Sequence, residues 1–358
     1  QGATLYAPDF QGKKDLLTGG GKILAIADSL KPDPALDIQL IDGTGQNVVP
    51  GIVDAHVHIA GAGGEGGPAS RTPEMPLSYL LEGGVTTAIG CLGTDGFTRS
   101  QESVLMKVKA LRSEWVSAWM YAGAYQIPAP TLTGEIGRDI ALIEEVIGAG
   151  EIALSDHRSS HPTLKDLITF TEHVRVGGML GGKAGIVNIH MGDAQKPFAM
   201  LLQAAEQSEL PLKQFYPTHI NRNTHILEDA KTYGKEGWLD LTASSYEVFP
   251  DIEVKPGKAI RALLEAGVPL EHITMTSDAN GSLPDFDEKG NLRRLAFGKP
   301  VSVLNELRDA VLQEQLPLEK AMRIVTRNPA TILKLPGKGQ IAKGMDADLL
   351  LLDDGLHL

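Results

Sequence analysis

The stretch Val49-Pro50-Gly51-Ile52-Val53-Asp54-Ala55-His56-Val57-His58 enters a strand through apolar residues and leaves it on two histidines. Alternation along a β-strand points residues i and i+2 to one face, so His56 and His58 project together. Two neutral imidazoles on one face make half a metal site. Downstream, short apolar runs alternate with helical stretches, the pattern of βα units and a parallel sheet. The expected strands are 52–58, 86–91, 116–123, 146–151, 185–190, 214–219, 238–243 and 273–278. Gln101 to Glu114, Leu164 to Val176, Pro197 to Gln207 and Lys255 to Ala266 read as helices between them. This alternation predicts an α/β fold, a (β/α)8 TIM-like barrel over 49–336. Residues 1–48 read as short strands with a turn at Gly19-Gly20-Gly21-Lys22, and Ala347-Asp348-Leu349-Leu350-Leu351-Leu352 returns to strand. The segments 1–48 and 337–358 together predict a small β-sandwich domain beside the barrel.

Composition narrows the functional classes. The 358 residues are 42% hydrophobic and 22% charged, and no apolar run approaches the length of a membrane span. A formal charge of -12 with no Lys/Arg run argues against nucleic acid or an anionic membrane, leaving small molecules as expected partners. One cysteine, Cys91, excludes an internal disulfide, and the start Gln1-Gly2-Ala3-Thr4 lacks the basic and apolar regions of a signal peptide. The expected setting is a reducing cytoplasm.

In a barrel the strand C-termini share one rim, and that rim carries the chemistry. The expected strand ends bring His56, His58, Glu151, His190, His219 and Asp278 there. Four imidazoles, one carboxylate able to bridge and one able to act as base suit a two-metal hydrolytic site. The expected cofactor is two Zn²⁺ per chain, with other divalent metals open.

In its order of ligands the chain resembles the amidohydrolase superfamily. The late helix Glu319-Lys320-Ala321-Met322-Arg323-Ile324-Val325-Thr326-Arg327-Asn328-Pro329-Ala330 and the closing Lys343-Gly344-Met345-Asp346-Ala347-Asp348-Leu349 are similar to the same superfamily. Within it the resemblance is closest to the bacterial isoaspartyl (β-aspartyl) dipeptidase family. The segments that carry this are Gly63-Gly64-Glu65, Leu92-Gly93-Thr94-Asp95, Gly123-Ala124-Tyr125, Ser155-Asp156-His157-Arg158-Ser159, Pro217-Thr218-His219-Ile220-Asn221-Arg222-Asn223 and Ser277-Asp278-Ala279-Asn280-Gly281-Ser282. That family bridges its metals with a carboxylated lysine, and here Glu151 stands at the matching place, seven residues before Arg158. Lys165 opens a helix and Lys183 lies on the far side of the barrel, so neither replaces it. The expectation is a carboxylate-bridged pair that assembles without carbon dioxide; the alternative is a single metal with Glu151 unligated.

The resemblance implies a substrate with one free ammonium and two carboxylates. Glu65 pairs with an ammonium, and Arg158 and Arg222 grip carboxylates bidentately. Thr94, Gly63 and Ser282 are implied as hydrogen-bonding partners of the substrate termini. A metal-bridging hydroxide would attack the side-chain amide, with Asp278 acting first as base and then as acid. Tyr125 reads equally as an oxyanion donor or as a rim aromatic facing water. The enzymatic alternative is a dihydroorotase-like amidohydrolase acting on cyclic amides or N-acyl amino acids, which needs no ammonium partner. A third reading is a non-catalytic relative without metal, against which the full ligand set argues. The family resemblance also implies a homo-oligomer.

Overall fold

The computed structural model describes residues 1–31, 33, 35, 37–287 and 292–358. The N-terminal segment forms β1 (Ala3–Tyr6), β2 (Phe10–Gly19), β3 (Lys22–Ala27) and β4 (Asn47–Pro50). The barrel strands follow as β5 (Ile52–Val57), β6 (Val85–Gly90), β7 (Ser117–Ala122), β8 (Val146–Ala153), β9 (Ile186–His190), β10 (Phe215–Thr218), β11 (Leu239–Thr242) and β12 (Ile273–Thr276). Every residue of β5 and of β8 is buried, which is the signature of strands covered on both faces. Strands β5 to β10 pair in parallel with their sequence neighbours, and β11 pairs in parallel with β12. Two backbone contacts close the ring. The Ile220 N–H donates to the Asp240 carbonyl across β10 and β11, and the His58 N–H donates to the Ala279 carbonyl beyond β12. The expected (β/α)8 barrel is therefore present, with all eight strands at the expected places.

Side-chain alternation divides the core in two. Ile52, Val57, Ala88, Met120 and Phe215 pack outward against the helices. Val53, Ala55, Ile89, Cys91, Tyr121 and Tyr216, from neighbouring positions on the same strands, face the other way into one inner cluster. Beneath the rim a polar layer interrupts this cluster. Asp240 accepts hydrogen bonds from the hydroxyls of Thr218 at 2.7 Å, Thr274 at 2.6 Å and Thr276 at 2.6 Å.

The helix expected over Leu164 to Val176 runs on to Gly181. It begins with a capping box in which Thr163 and Asp166 satisfy each other's backbone N–H groups. Its extension passes through Gly177 and Gly178, residues that usually discourage a helix. Close packing is what retains them: a Cβ at Gly178 would lie 2.5 Å from the Gly185 Cα.

The remaining strands lie outside the barrel wall. β13 (Ser282–Phe286) and β14 (Leu292–Phe297) form an antiparallel hairpin after Asp278 that periodicity did not suggest. β15 (Leu349–Leu352) pairs with β4, giving a sheet of order β15-β4-β1-β2-β3 built from both ends of the chain. The first half of β2 pairs with β1 and the second half with β3.

Candidate active site

The rim residues converge because two barrel strands carry one residue too many. Along β5 the pairing with β6 steps from Asp54↔Ala88 to Val57↔Gly90, three residues against two. Along β8 the pairing with β9 steps from Ala149↔Val187 to Ile152↔Ile189, again three against two. An extra residue breaks strict alternation and re-aims a side chain, and here the irregular stretches contain His56 and Glu151. Strand β8 accordingly continues past Glu151 to Ala153, where the sequence pattern ended it at Glu151. Further strain sits at His219, with φ +65°, and at Asp278, with φ +52°. Left-handed backbone at non-glycine residues is uncommon and clusters at functional sites. A side chain at Gly281 would press on Asp278, since a Cβ there would fall 2.4 Å from Oδ1.

All six expected metal ligands lie within one buried cluster. Glu151, 1% exposed, stands at its centre. Its Oε2 faces His56 Nε2 at 3.4 Å and His58 Nε2 at 3.8 Å. Its Oε1 faces His190 Nδ1 at 2.5 Å and His219 Nε2 at 3.0 Å. Asp278 Oδ1 lies on the first side, 3.1 Å from His58 Nε2 and 3.6 Å from His56 Nε2. One carboxylate thus divides four imidazoles into two pairs. Both ring nitrogens of His56 and Asp278 Oδ1 are buried without a hydrogen-bond partner among the described residues. Buried polar atoms are ordinarily satisfied, so this set fits divalent metal ions as the missing partners. His219 Nδ1 meets the Thr242 hydroxyl at 2.7 Å, the kind of outer contact that orients a ligating imidazole.

The local charges follow from this packing. Burial raises the Glu151 carboxyl, but the surrounding His56 and His190 outweigh it and hold the group well below the usual carboxylate range. Asp278 is also held low: burial is outweighed by the adjacent His58, His219 and His56. Burial and the neighbouring His190 push His219 down to about 4. Lys183 takes no part, because its ammonium donates to the carbonyls of Ile140 and Ile143 away from the rim.

A cavity of about 510 Å³ opens above the cluster, lined by the remaining expected residues Glu65, Gly63, Thr94, Tyr125, Arg158, Arg222 and Ser282. Arg158 donates to Glu65 Oε1 at 3.2 Å, and the Ser282 hydroxyl donates to the same oxygen at 2.7 Å. Glu65 Oε2 is buried with no hydrogen-bond partner among the described residues. Arg222 lies in the cavity wall, its Nε and one terminal nitrogen at 3.1 and 3.3 Å from the two carboxylate oxygens of Asp193. Tyr125 is buried, and its hydroxyl lies 3.0 Å from His190 Nδ1. Burial and the nearby Glu151 raise the phenol well above its ordinary value, so it remains a donor. A rim aromatic whose hydroxyl faces water is not what the fold produces. His157 also lines the cavity, but its side chain is 80% exposed and it belongs to neither buried group.

Three site residues escaped the sequence reading. Asp156 grips Arg158 bidentately at 2.8 and 2.7 Å and lies 3.3 Å from His190 Nε2, joining the cavity wall to the buried histidine cluster. Its place two residues before Arg158 was the available signal. Cys91 directly follows β6, as His219 follows β10, and belongs to a group with His56, His58 and Glu151. Glu253, from the loop after β11, had no pattern to betray it.

Glu253 lines the cavity and accepts from the Ser245 hydroxyl at 2.6 Å. Burial pushes its carboxyl up to about 7, against the lowering effect of Ser245 and Arg222. Free glutamate titrates near 4.3, so between about pH 4.3 and 7 the folded chain retains a proton that the unfolded chain has lost. Stability therefore falls as pH rises through that window, by about 4 kcal/mol in all. Glu253→Gln should melt close to the parent at about pH 4 and above it at about pH 8. Equal melting offsets at both pH values in thermal denaturation would contradict this origin.

Comparison with known proteins places this geometry. A model of the amidohydrolase family matches residues 185–357. The crystal structure of a beta-aspartyl dipeptidase from Fervidobacterium islandicum AW-1, in complex with beta-Asp-Leu dipeptide, is 42% identical with a TM-score of 0.91; the match covers 98% of this chain and 91% of that one. An allantoinase of Deinococcus radiodurans is 24% identical over 98% of this chain and 85% of its own length. A deacetylase of Agrobacterium fabrum is 26% identical over 96% of this chain and 79% of its own.

Proposed function

We propose, since this chain belongs to the amidohydrolase family and is a hydrolytic enzyme, that it cleaves the β-aspartyl (isoaspartyl) peptide bond of dipeptides. The observation that carries the reading is Glu65, whose buried and unpartnered Oε2 sits beside Arg158 above the ligand cluster. An isoaspartyl residue offers an ammonium and a carboxylate on adjacent bonds, and a neighbouring glutamate and arginine match that pair. Cyclic amides and N-acyl amino acids carry no ammonium. For such substrates Glu65 would leave a buried acceptor unmet, at a cost of about 1–3 kcal/mol.

In this reading His56, His58, Glu151 and Asp278 would hold one divalent ion, and Glu151, His190 and His219 would hold a second. The imidazole and carboxylate donors suit zinc. When bound, the ions supply Lewis acidity that activates water and polarises the scissile carbonyl. Asp278, kept ionised by its histidine neighbours, takes the water's proton and delivers it to the departing amine. The Tyr125 hydroxyl donates to the oxygen on which charge develops. Arg158 binds the aspartyl α-carboxylate, Arg222 leaves Asp193 to bind the carboxylate of the leaving residue, and Thr94, Gly63 and Ser282 hydrogen-bond the termini.

Recognition of the ammonium is separable from catalysis. N-Succinyl-leucine is β-Asp-Leu without the amine, and the parent should prefer the dipeptide in kcat/KM by about a hundredfold, the scale of a buried charge-assisted contact. Glu65→Gln should erase most of that preference. A preference that survives the substitution would contradict the role of Glu65 and with it the choice of substrate.

A further inference from the structure

We propose that Cys91 is a sulfur donor to the metal position formed by His56 and His58, an assignment that rests on the metal-site reading above and extends it. One donor atom from each of His56, His58, Cys91 and Glu151 lies within 4.8 Å of the other three, and all four residues are buried. Bond lengths of about 2.0–2.3 Å in a tetrahedral site put donor atoms about 3.3–3.8 Å apart. The separation of His56 Nε2 from Glu151 Oε2 is 3.4 Å, inside that range, while Cys91 Sγ lies 3.8 Å from His58 Nδ1, the ring nitrogen other than the one facing Glu151 and Asp278.

The other partner of the sulfur is weak. Cys91 is fully buried, and its thiol points at the Val57 carbonyl from 3.7 Å. His56, equally buried and in the same group, has neither ring nitrogen in a hydrogen bond among the described residues, its Nε2 only facing the Glu151 and Asp278 carboxylates at 3.4 and 3.6 Å. A thiol and an unpartnered imidazole facing one carboxylate make a mixed nitrogen, sulfur and oxygen donor set. On metal binding the thiol proton would leave to solvent and the sulfur lone pair would form the metal bond. Such a donor favours zinc and cadmium over magnesium or manganese. The competing arrangement leaves the sulfur behind the His58 ring, where it fixes the imidazole tautomer and touches no metal.

Cobalt(II) distinguishes them, because thiolate bound to cobalt gives a near-ultraviolet charge-transfer band and imidazole and carboxylate do not. Cys91 is the sole cysteine of the chain, so any such band belongs to it. The full-length protein, stripped with a chelator and titrated with Co²⁺, should show that band together with visible d–d absorption. Cys91→Ser should keep the d–d absorption, lose the charge-transfer band and bind zinc ten- to a hundredfold more weakly in chelator competition. Visible d–d absorption in the parent without the charge-transfer band would overturn the sulfur assignment and leave the metal site standing. Absence of bound cobalt in the parent would overturn both. The parent spectrum decides the question even if the variant fails to fold.

Discussion

Replacing Glu151 with glutamine is expected to lower kcat/KM for a β-aspartyl dipeptide by about a thousandfold or more, roughly 4 kcal/mol of transition-state stabilisation. The reason lies in its position. Its two oxygens face two separate imidazole pairs, so a single substitution withdraws charge from both halves of the site. Glutamine retains the shape but offers one neutral oxygen, so the repulsion between the two proposed dications would go uncompensated. Metal analysis should show about two equivalents in the parent and one or none in the variant. Removing bicarbonate should leave the parent unaffected, because a glutamate needs no carbon dioxide to become a carboxylate. Two equivalents of metal in an active Glu151→Gln protein would eliminate the bridging role.

Asp278→Asn should cost about a hundred- to ten-thousandfold in kcat, the range for loss of a positioned general acid–base group. Its Oδ1 is buried, unpartnered and 3.1 Å from His58 Nε2, so it can serve as a ligand and as a proton carrier. The two functions separate by experiment. If Asp278 carries the proton, the asparagine variant loses turnover while its equilibrium metal content stays above that of Glu151→Gln. Moreover, a substrate with a better leaving group, such as a β-aspartyl nitroanilide, should recover part of the rate, since its amine needs less help from an acid. Equal losses on both substrates, with loss of metal, would reduce Asp278 to a ligand.

The barrel was legible because its strands are buried on both faces and read as apolar runs. Ile52–Val57 and Val146–Ala153 show this, and the second is followed by the expected helix that begins at Leu164. The members of the histidine–carboxylate cluster were legible because rim chemistry collects at strand ends, which is where His190, His219 and Asp278 lie. Geometry that depends on an added residue was not. The irregular pairing that contains Glu151 leaves no mark in periodicity, and the left-handed backbone of Asp278 is invisible in an aspartate's identity. Cys91 shows another limit. Counting cysteines excluded a disulfide, yet only the fold reveals that this thiol lies against two histidines. The hairpin β13–β14 and the buried Glu253 depend on tertiary packing in the same way. Arg222 illustrates a subtler gap, since its presence at the cavity was expected but its pairing with Asp193 was not.

The proposed selection of an isoaspartyl linkage by the cavity, and its hydrolysis with bound metal by the cluster beneath, are tested together by the ratio of kcat/KM for β-Asp-Leu to that for α-Asp-Leu, measured on the same preparation before and after treatment with a chelator. The ratio should exceed about a hundred, because an α-linked aspartate places its ammonium and scissile carbonyl on one carbon and cannot reach Glu65 and the cluster together. Chelation should abolish turnover, and added zinc should restore it. Equal hydrolysis of the two dipeptides, or full activity after the metal is removed, would contradict the account.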